Sequence, residues 1–237
     1  MEYLKKYYKG DIKEAIKRLN NNEPVQYIVG NVDFYGYIFD VNKNVLIPRR
    51  ETEELTEKVL KRIQEFTKPV IIDVGTGSGA IAITLALEEP RLNVIATDIS
   101  QDALVVAKEN ANLLNAKVEF RHGDLLQPLL DSHEKVDIFV SNPPYIPNDQ
   151  QIEAMVKDNE PHVALFGGND GLYFYRKIFK EVKPLLNERA LLAFEMGFDQ
   201  RELMEKAIHE FFGDYPFEII KDMNGKDRML FIYYHLK

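Results

Sequence analysis

From residue 68 onward, short apolar runs alternate with longer stretches whose apolar residues recur at helical spacing. The runs "PVIIDV", "NVIATD", "KVEF", "VDIFVS" and "ALLAFE" are too short for buried helices and are rich in residues that suit a pleated sheet. Near-continuous hydrophobicity, rather than strict alternation, is what a strand covered on both faces requires. Strands separated by helices in this way predict an α/β fold with a doubly wound, mostly parallel sheet. Two further runs, "FEIIKD" and "RMLFIYYHL", are joined only by "MNGKD", which leaves no room for a crossover helix. They predict an antiparallel C-terminal hairpin that closes one edge of a seven-stranded sheet.

Before residue 68 the pattern differs. Ile12, Ala15, Ile16 and Leu19 mark a short helix from about Asp11 to Asn20. The stretch "NVDFYGYIFDVN" alternates about Tyr35 and Gly36 as a hairpin does, and "RRETEELTEKVLKRIQEF" puts Leu55, Val59 and Ile63 on one helical side. The organisation expected is a helical segment over residues 1–30, a β-hairpin and linking helix over 31–67, and the sheet domain over 68–237.

Composition narrows the functions open to such a fold. No apolar run approaches the length of a membrane span, and the N-terminal "MEYLKKYYKGDIKEAIKRL" lacks the features of a secretory signal. The chain has no cysteine, which removes disulfide and thiolate chemistry and agrees with a cytoplasmic location. A formal net charge of −8 argues against a broad nucleic-acid-binding face and favours a protein or small-molecule partner. The five histidines (His122, His133, His162, His209 and His235) show no paired spacing on a helix face, so no metal site is expected.

The strongest chemical signal in the first half of the sheet domain is "VIIDVGTGSGAIAITLAL", a buried strand running through Gly75, Gly77 and Gly79 into a helix. Glycines let the backbone pass close to a ligand, and a helix N-terminus adds amide donors. A tight strand-to-helix turn would also use them. Gly75, Gly77 and Ala80 satisfy the dinucleotide fingerprint, and Asp98 ends the next strand at a suitable distance, so the glycines alone leave a nicotinamide dinucleotide and an adenosyl cofactor both open. Three aspartates favour the second. Asp73, just before the loop, would repel a pyrophosphate and attract an ammonium. Asp98 offers lone pairs to two ribose hydroxyls, and Asp124 follows the third strand where an adenine amino group could lie. A nucleoside carrying an amino-acid tail uses all three.

Downstream, "SNPPY" follows the fourth strand, beside the switch point where doubly wound sheets bind ligands. Two prolines make this exit stiff and extended. The NPPY form resembles that of S-adenosylmethionine-dependent methyltransferases acting on a planar nitrogen. More specifically, "PVQYIVG", "LIPRRETEEL", "DVGTGSGAIAI", "ATDIS", "VSNPPYIP", "EPHVALFGGNDGLYFYRKI" and "KDMNGKDR" occur in the order found in the bacterial release factor glutamine methyltransferases. From about Pro24 to its C-terminus the chain resembles that family, which has a Rossmann-like methyltransferase fold.

The resemblance implies transfer of a methyl group from S-adenosylmethionine to the side-chain amide nitrogen (N5) of the glutamine in the GGQ loop of class-1 peptide chain release factors, leaving S-adenosylhomocysteine. The implied cofactor set is Asp73, Gly75, Thr76, Gly77, Ser78, Gly79, Asp98, Ile99, Asp124, Leu125 and Asn142. Asn142, Pro143 and Tyr145 would be catalytic: the Asn142 carbonyl and the backbone carbonyl of Pro143 accept from the two amide N–H groups, Pro144 stiffens the turn, and Tyr145 covers the flat amide face. Arg49, Glu51 and Thr52 would line the substrate mouth or simply start a helix. Two departures stand out. Arg50 occupies a place where the family typically has a second proline, and only about 25 residues precede the hairpin, where the family carries a several-helix domain. Stable nucleic-acid binding and membrane association are not expected. The alternatives are an N-methyltransferase for an exocyclic amine of adenine or guanine, reached by base flipping, and a non-catalytic module that binds an adenosyl ligand.

Overall fold

The computed structural model describes residues 2–236. At the N-terminus α1 (Glu2–Tyr7), α2 (Ile12–Asn20) and α3 (Val25–Val29) pack around Leu4, Ala15 and Ile28. The second of these is the helix the spacing predicts, capped by Asp11, whose carboxylate accepts from the Lys13 amide at 2.9 Å. The first and third are too short to carry a periodic signal and form only against their neighbours.

Strands β1 (Asn31–Phe34) and β2 (Tyr37–Asp40) form the expected antiparallel hairpin. Its turn residues Tyr35 and Gly36 both take positive φ, 54° and 81°, the geometry whose twist matches the flanking strands. Phe34 and Phe39 point from the hairpin into a cluster with Ala80, Ile83 and Val106. Helix α4 (Arg50–Arg62) follows and buries Leu55 and Val59, with Ile63 just beyond its end.

The main sheet contains β3 (Val70–Val74), β4 (Asn93–Asp98), β5 (Glu119–His122), β6 (Val136–Ser141), β7 (Leu186–Glu195), β8 (Phe217–Lys221) and β9 (Asp227–Tyr234). Its order is β5-β4-β3-β6-β7-β9-β8: the first five are parallel, and β9 pairs antiparallel with both β7 and β8. The fold is thus the mostly parallel, doubly wound sheet with a closing hairpin that the pattern predicts. The crossovers contain α5 (Ala80–Glu88), α6 (Gln101–Leu114), α7 (Gln127–Ser132), α8 (Ala154–Asn159) and α9 (Tyr173–Glu181), and α10 (Arg201–Phe212) links β7 to the hairpin. Strand β7 begins four residues before the apolar run, because Leu186 pairs with Val136 across a register shift while Glu188 and Arg189 remain exposed.

Alternation along each strand divides the core. Ile71, Ile138 and Val140 face α4 and α5, whereas Ile72 and Phe139 face Tyr175, Ile178 and Phe179 of α9 and Met204 of α10. In the stretch "NDGLYFYRKIF" Leu172, Tyr175 and Phe179 are buried, and Asp170 precedes the helix: its carboxylate accepts from the Leu172 amide at 3.1 Å and from Arg176. Among the described residues no helix is long and apolar enough to cross a membrane.

Gly79 sits where β3 turns into α5, with φ at 84°, and an added Cβ would lie 2.7 Å from the Ile83 side chain and 3.3 Å from Ala107 Cβ. The left-handed backbone and the crowding both oppose any side chain. Gly79→Ala should therefore cost about 1 to 3 kcal/mol in urea denaturation. A wild-type midpoint would show that this junction tolerates a side chain.

Candidate active site

The strand ends bring the glycine loop, Asp98, Asp124 and NPPY to one edge of the sheet, around a cleft of ≈ 170 Å³. Gly75 and Gly77 line it, at φ 75° and 57°, and a Cβ added to either meets nothing within 4 Å. These two glycines keep space open, in contrast to Gly79. Asp73, Thr76 and Ser78 are buried beneath the loop. The Asp73 Oδ2 accepts from the Thr76 hydroxyl at 2.6 Å and from the Ala82 amide at 3.3 Å, while its Oδ1 is buried without a partner. Burial pushes this carboxyl up to about 7, against the pull of its two donors.

Asp98 stands on the cleft wall and ties two loops together. Its Oδ2 accepts from the Gly77 amide and its Oδ1 from the Ser100 amide, both at 2.8 Å. Burial raises its carboxyl, opposed by those amides. Beside it Ile99 is half exposed on the wall, an apolar surface suited to a flat base. Asp124 and Leu125 complete this side, and the Asp124 carboxylate is ion-paired with Lys177 Nζ at 2.5 Å.

Across the cleft, the Ser141 hydroxyl donates to the Val74 carbonyl at 2.7 Å and ties the end of β6 to the end of β3. Asn142, Pro143 and Pro144 line the cleft here. Asn142 also belongs to a second cavity of ≈ 100 Å³, whose walls include Leu46, Arg49, Tyr145, Ala164 and Glu195. Its Nδ2 donates to the Thr52 hydroxyl at 3.2 Å, the Thr52 hydroxyl donates to Glu195 Oε2 at 2.6 Å, and the Tyr145 hydroxyl donates to Glu195 Oε1 at 3.2 Å. Glu195 is fully buried; burial raises its carboxyl, while Thr52 and the Arg228 guanidinium favour its charged form. Burial also raises the Tyr145 phenol.

The NPPY backbone is clamped from the far side. Gln200 Nε2 donates to the Tyr145 carbonyl at 2.8 Å, and the Gly167 amide donates to the Ile146 carbonyl at 2.8 Å. A Cβ on Gly167 would stand 2.4 Å from the Pro144 carbonyl, and one on Gly171 2.2 Å from the Tyr145 carbonyl, so "FGGNDG" owes these glycines to close backbone approach.

Of the residues proposed for the substrate mouth, Arg49 lines the second cavity and is ion-paired with the buried Glu160, which also accepts from the Ile47 amide at 3.2 Å. Thr52 is buried at the centre of the network, and Glu51, on the first turn of α4, lines neither cavity. Arg50 lies in a separate groove with Tyr35, Glu53, Glu54, Glu57 and Met223. Glu195, Glu160 and Gln200 were not anticipated from the sequence. Glu195 had a signal, since it ends the apolar run "ALLAFE" as Asp98 ends "NVIATD"; Glu160 and Gln200 had none.

Residues 48–165 match the methyltransferase small domain. The chain is 48% identical to the release factor glutamine methyltransferase of Bacillus anthracis over 213 residues, 88% of this chain and 75% of that protein. It is 43% identical to the release factor glutamine methyltransferase of Bacillus subtilis (strain 168) over 224 residues, 92% of this chain and 78% of that one. The chain belongs to the release factor glutamine methyltransferase family. A solved methyltransferase from Pyrococcus furiosus superposes with a TM-score of 0.62 at 18% identity, covering 94% of this chain and 100% of that one. That likeness speaks to the fold alone. Membership of the release factor glutamine methyltransferases favours neither nucleic-acid methylation nor a non-catalytic adenosyl module.

Within this family member, Asp73 should leave a thermodynamic signature. Its folded carboxyl titrates at about 7 instead of 3.8, so the folded state holds a proton that the unfolded chain has already released. The stability it contributes is complete below about pH 4 and is lost as pH rises to about 7. Asp73→Asn should flatten the fall in urea midpoint between about pH 4 and about pH 7 relative to wild type. An unchanged slope would show that Asp73 is already ionised in the folded protein.

Proposed function

We propose that this chain methylates the side-chain amide nitrogen of the glutamine in the GGQ loop of class-1 peptide chain release factors, with S-adenosylmethionine as donor. The observation that carries this reading is the position of Asn142, which lies on the walls of both cavities. One cavity suits the cofactor and the other a small planar side chain, and they meet at a residue able to orient an amide.

The residues of the larger cleft fit an adenosyl amino acid. Gly75 and Gly77 leave backbone-lined space, Asp98 has carboxylate lone pairs beyond its two amide bonds, and Ile99 provides an apolar wall. Asp73, buried beneath the loop, would act on an ammonium through its charge rather than by contact. When bound, S-adenosylmethionine supplies a methyl group on a positively charged sulfur.

The chain's own task is to present a weak nucleophile. An amide nitrogen has its lone pair delocalised into the carbonyl, so positioning and electrostatic stabilisation must do most of the work. Asn142 Oδ1 and the Pro143 carbonyl are the two acceptors for the two N–H groups; Pro143 has no N–H of its own to compete. As positive character grows on the nitrogen, the negative ends of these carbonyl dipoles stabilise it, and no titratable base is needed before transfer because the proton becomes acidic only on the alkylated nitrogen. Tyr145, anchored through its hydroxyl to Glu195, forms a wall of the smaller cavity beside the amide. Release factors work in translation, which places the reaction in the cytoplasm.

Incubation with labelled S-adenosylmethionine and a purified release factor, followed by peptide mapping, should place the label on the GGQ glutamine. Asn142→Ala should lower the transfer rate about a hundred- to a thousandfold, the typical cost of one positioned polar contact to developing charge, with cofactor affinity largely kept. Transfer by that variant at the wild-type rate would remove Asn142 from the chemistry.

A further inference from the structure

An asparagine amide has an acceptor end and a donor end that differ little in shape, so an active-site asparagine needs something to decide which end faces its substrate. Asn142 has such a device. An ionised carboxylate can only accept hydrogen bonds, and Glu195 accepts from the hydroxyls of both Thr52 and Tyr145. Thr52, 2.6 Å from Glu195 Oε2, spends its single hydroxyl proton there. All it retains for Asn142, 3.2 Å away, is a lone pair, and a lone pair can be met only by the NH2 end of the amide. The carbonyl of Asn142 is therefore the end left for a ligand.

We propose that Thr52 and Glu195 are positioning residues that fix the polarity of Asn142, holding it as an acceptor toward the substrate and thereby making the site select a primary amide over a carboxylate. This rests on the assignment of Asn142 and Pro143 as the glutamine-binding acceptors. Both groups facing the substrate nitrogen are then carbonyl oxygens. A glutamine meets them with two N–H donors, whereas a glutamate of the same shape would set its own lone pairs against theirs. Sites committed in this way to a substrate N–H or O–H discriminate against analogues that lack it by as much as about 10⁴ to 10⁵. If Asn142 were free to turn, its NH2 would accommodate the carboxylate and the selection would weaken.

The geometry also explains why a threonine stands on the first turn of α4 facing inward. Thr52 is buried, and its hydroxyl is interposed between the Glu195 carboxyl group, to which it donates, and the Asn142 amide, from which it accepts. The acceptor role of Glu195 is thus read out at Asn142 as a direction.

Thr52→Val keeps the shape and removes both hydrogen bonds, so it frees Asn142 with little change in packing. The measurements are the single-turnover methylation rate of the release factor and competition by the same factor carrying glutamate in place of the GGQ glutamine. Thr52→Val should slow transfer about tenfold or more, the loss of one net hydrogen bond at the least. It should also let the glutamate-bearing factor compete at least about tenfold better relative to the glutamine form, a change that lost packing alone would not produce. Cofactor affinity should stay near wild type, the thermal midpoint should fall because the buried Glu195 Oε2 loses its donor, and Thr52→Ser should restore rate, preference and midpoint. Should Thr52→Val fail to fold, Glu195→Gln provides the same test, because its amide can donate to Thr52 and release the hydroxyl proton toward Asn142. Wild-type transfer accompanied by an unchanged glutamine-over-glutamate preference in the folded variant would overturn the proposal and leave the methylation reading standing. Failure of the wild-type chain to label the release factor would overturn both.

Discussion

The site depends on the pairing of β3 with β6 at the point where the strand order turns back on itself. After β3 the chain builds outward through β4 and β5, then crosses to the other flank to lay down β6. That reversal sets two strand exits side by side with no crossover helix over them, the place where doubly wound sheets open a ligand crevice. Val74 pairs with Ser141, and the Ser141 hydroxyl is bound to the Val74 carbonyl, so the glycine loop and NPPY leave the sheet level with one another. A one-residue slip in this register would turn Asn142 to the opposite face and separate it from the cleft that Gly75 and Gly77 keep open.

From this constraint follows the division of labour on either side of Asn142. The glycine side is held by backbone amides donating to Asp98, which is both a cleft wall and a clasp between the loop and the start of α6. The NPPY side cannot be held by ladder hydrogen bonds, since its two prolines have no N–H. It is braced laterally by Gln200, by Gly167 and Gly171 pressed against its carbonyls, and by the Tyr145 hydroxyl on Glu195. A stretch that ladder hydrogen bonds cannot hold needs its rigidity supplied from behind.

How much of this could be read from the chain follows from the range of each interaction. The strands, the hairpin at Tyr35 and Gly36, and the glycine loop declare themselves through patterns a few residues long, and the structure contains them. The separate duties of the three glycines were not legible, because only the packed structure shows Ile83 and Ala107 crowding Gly79 while Gly75 and Gly77 face open space. Thr52 was singled out, but its partner lies at the far end of β7, 143 positions away. Glu160 is further from its signal still: nothing near "EPHVAL" announces that its carboxylate will be buried against Arg49 and the Ile47 amide. Short-range pattern identifies the elements and the residues on their ends, while long-range burial decides what those residues are for.

The acidic strand ends make this concrete. Asp73, Asp98 and Glu195 all follow apolar runs in the sequence and look alike there, yet each enters a different environment. Asp98 reaches the cleft wall and finds two backbone amides, so it remains available to a ligand. Asp73 is sealed under the loop with one oxygen unpartnered, and burial pushes its carboxyl toward neutral pH. Glu195 is equally buried, but two hydroxyls and a nearby guanidinium supply what water would have supplied. A buried carboxylate is costly unless its lone pairs are met, and the groups that meet those of Glu195 are the ones that hold Asn142 and Tyr145 in place. Its desolvation is thereby converted into geometry at the two side chains that frame the smaller cavity.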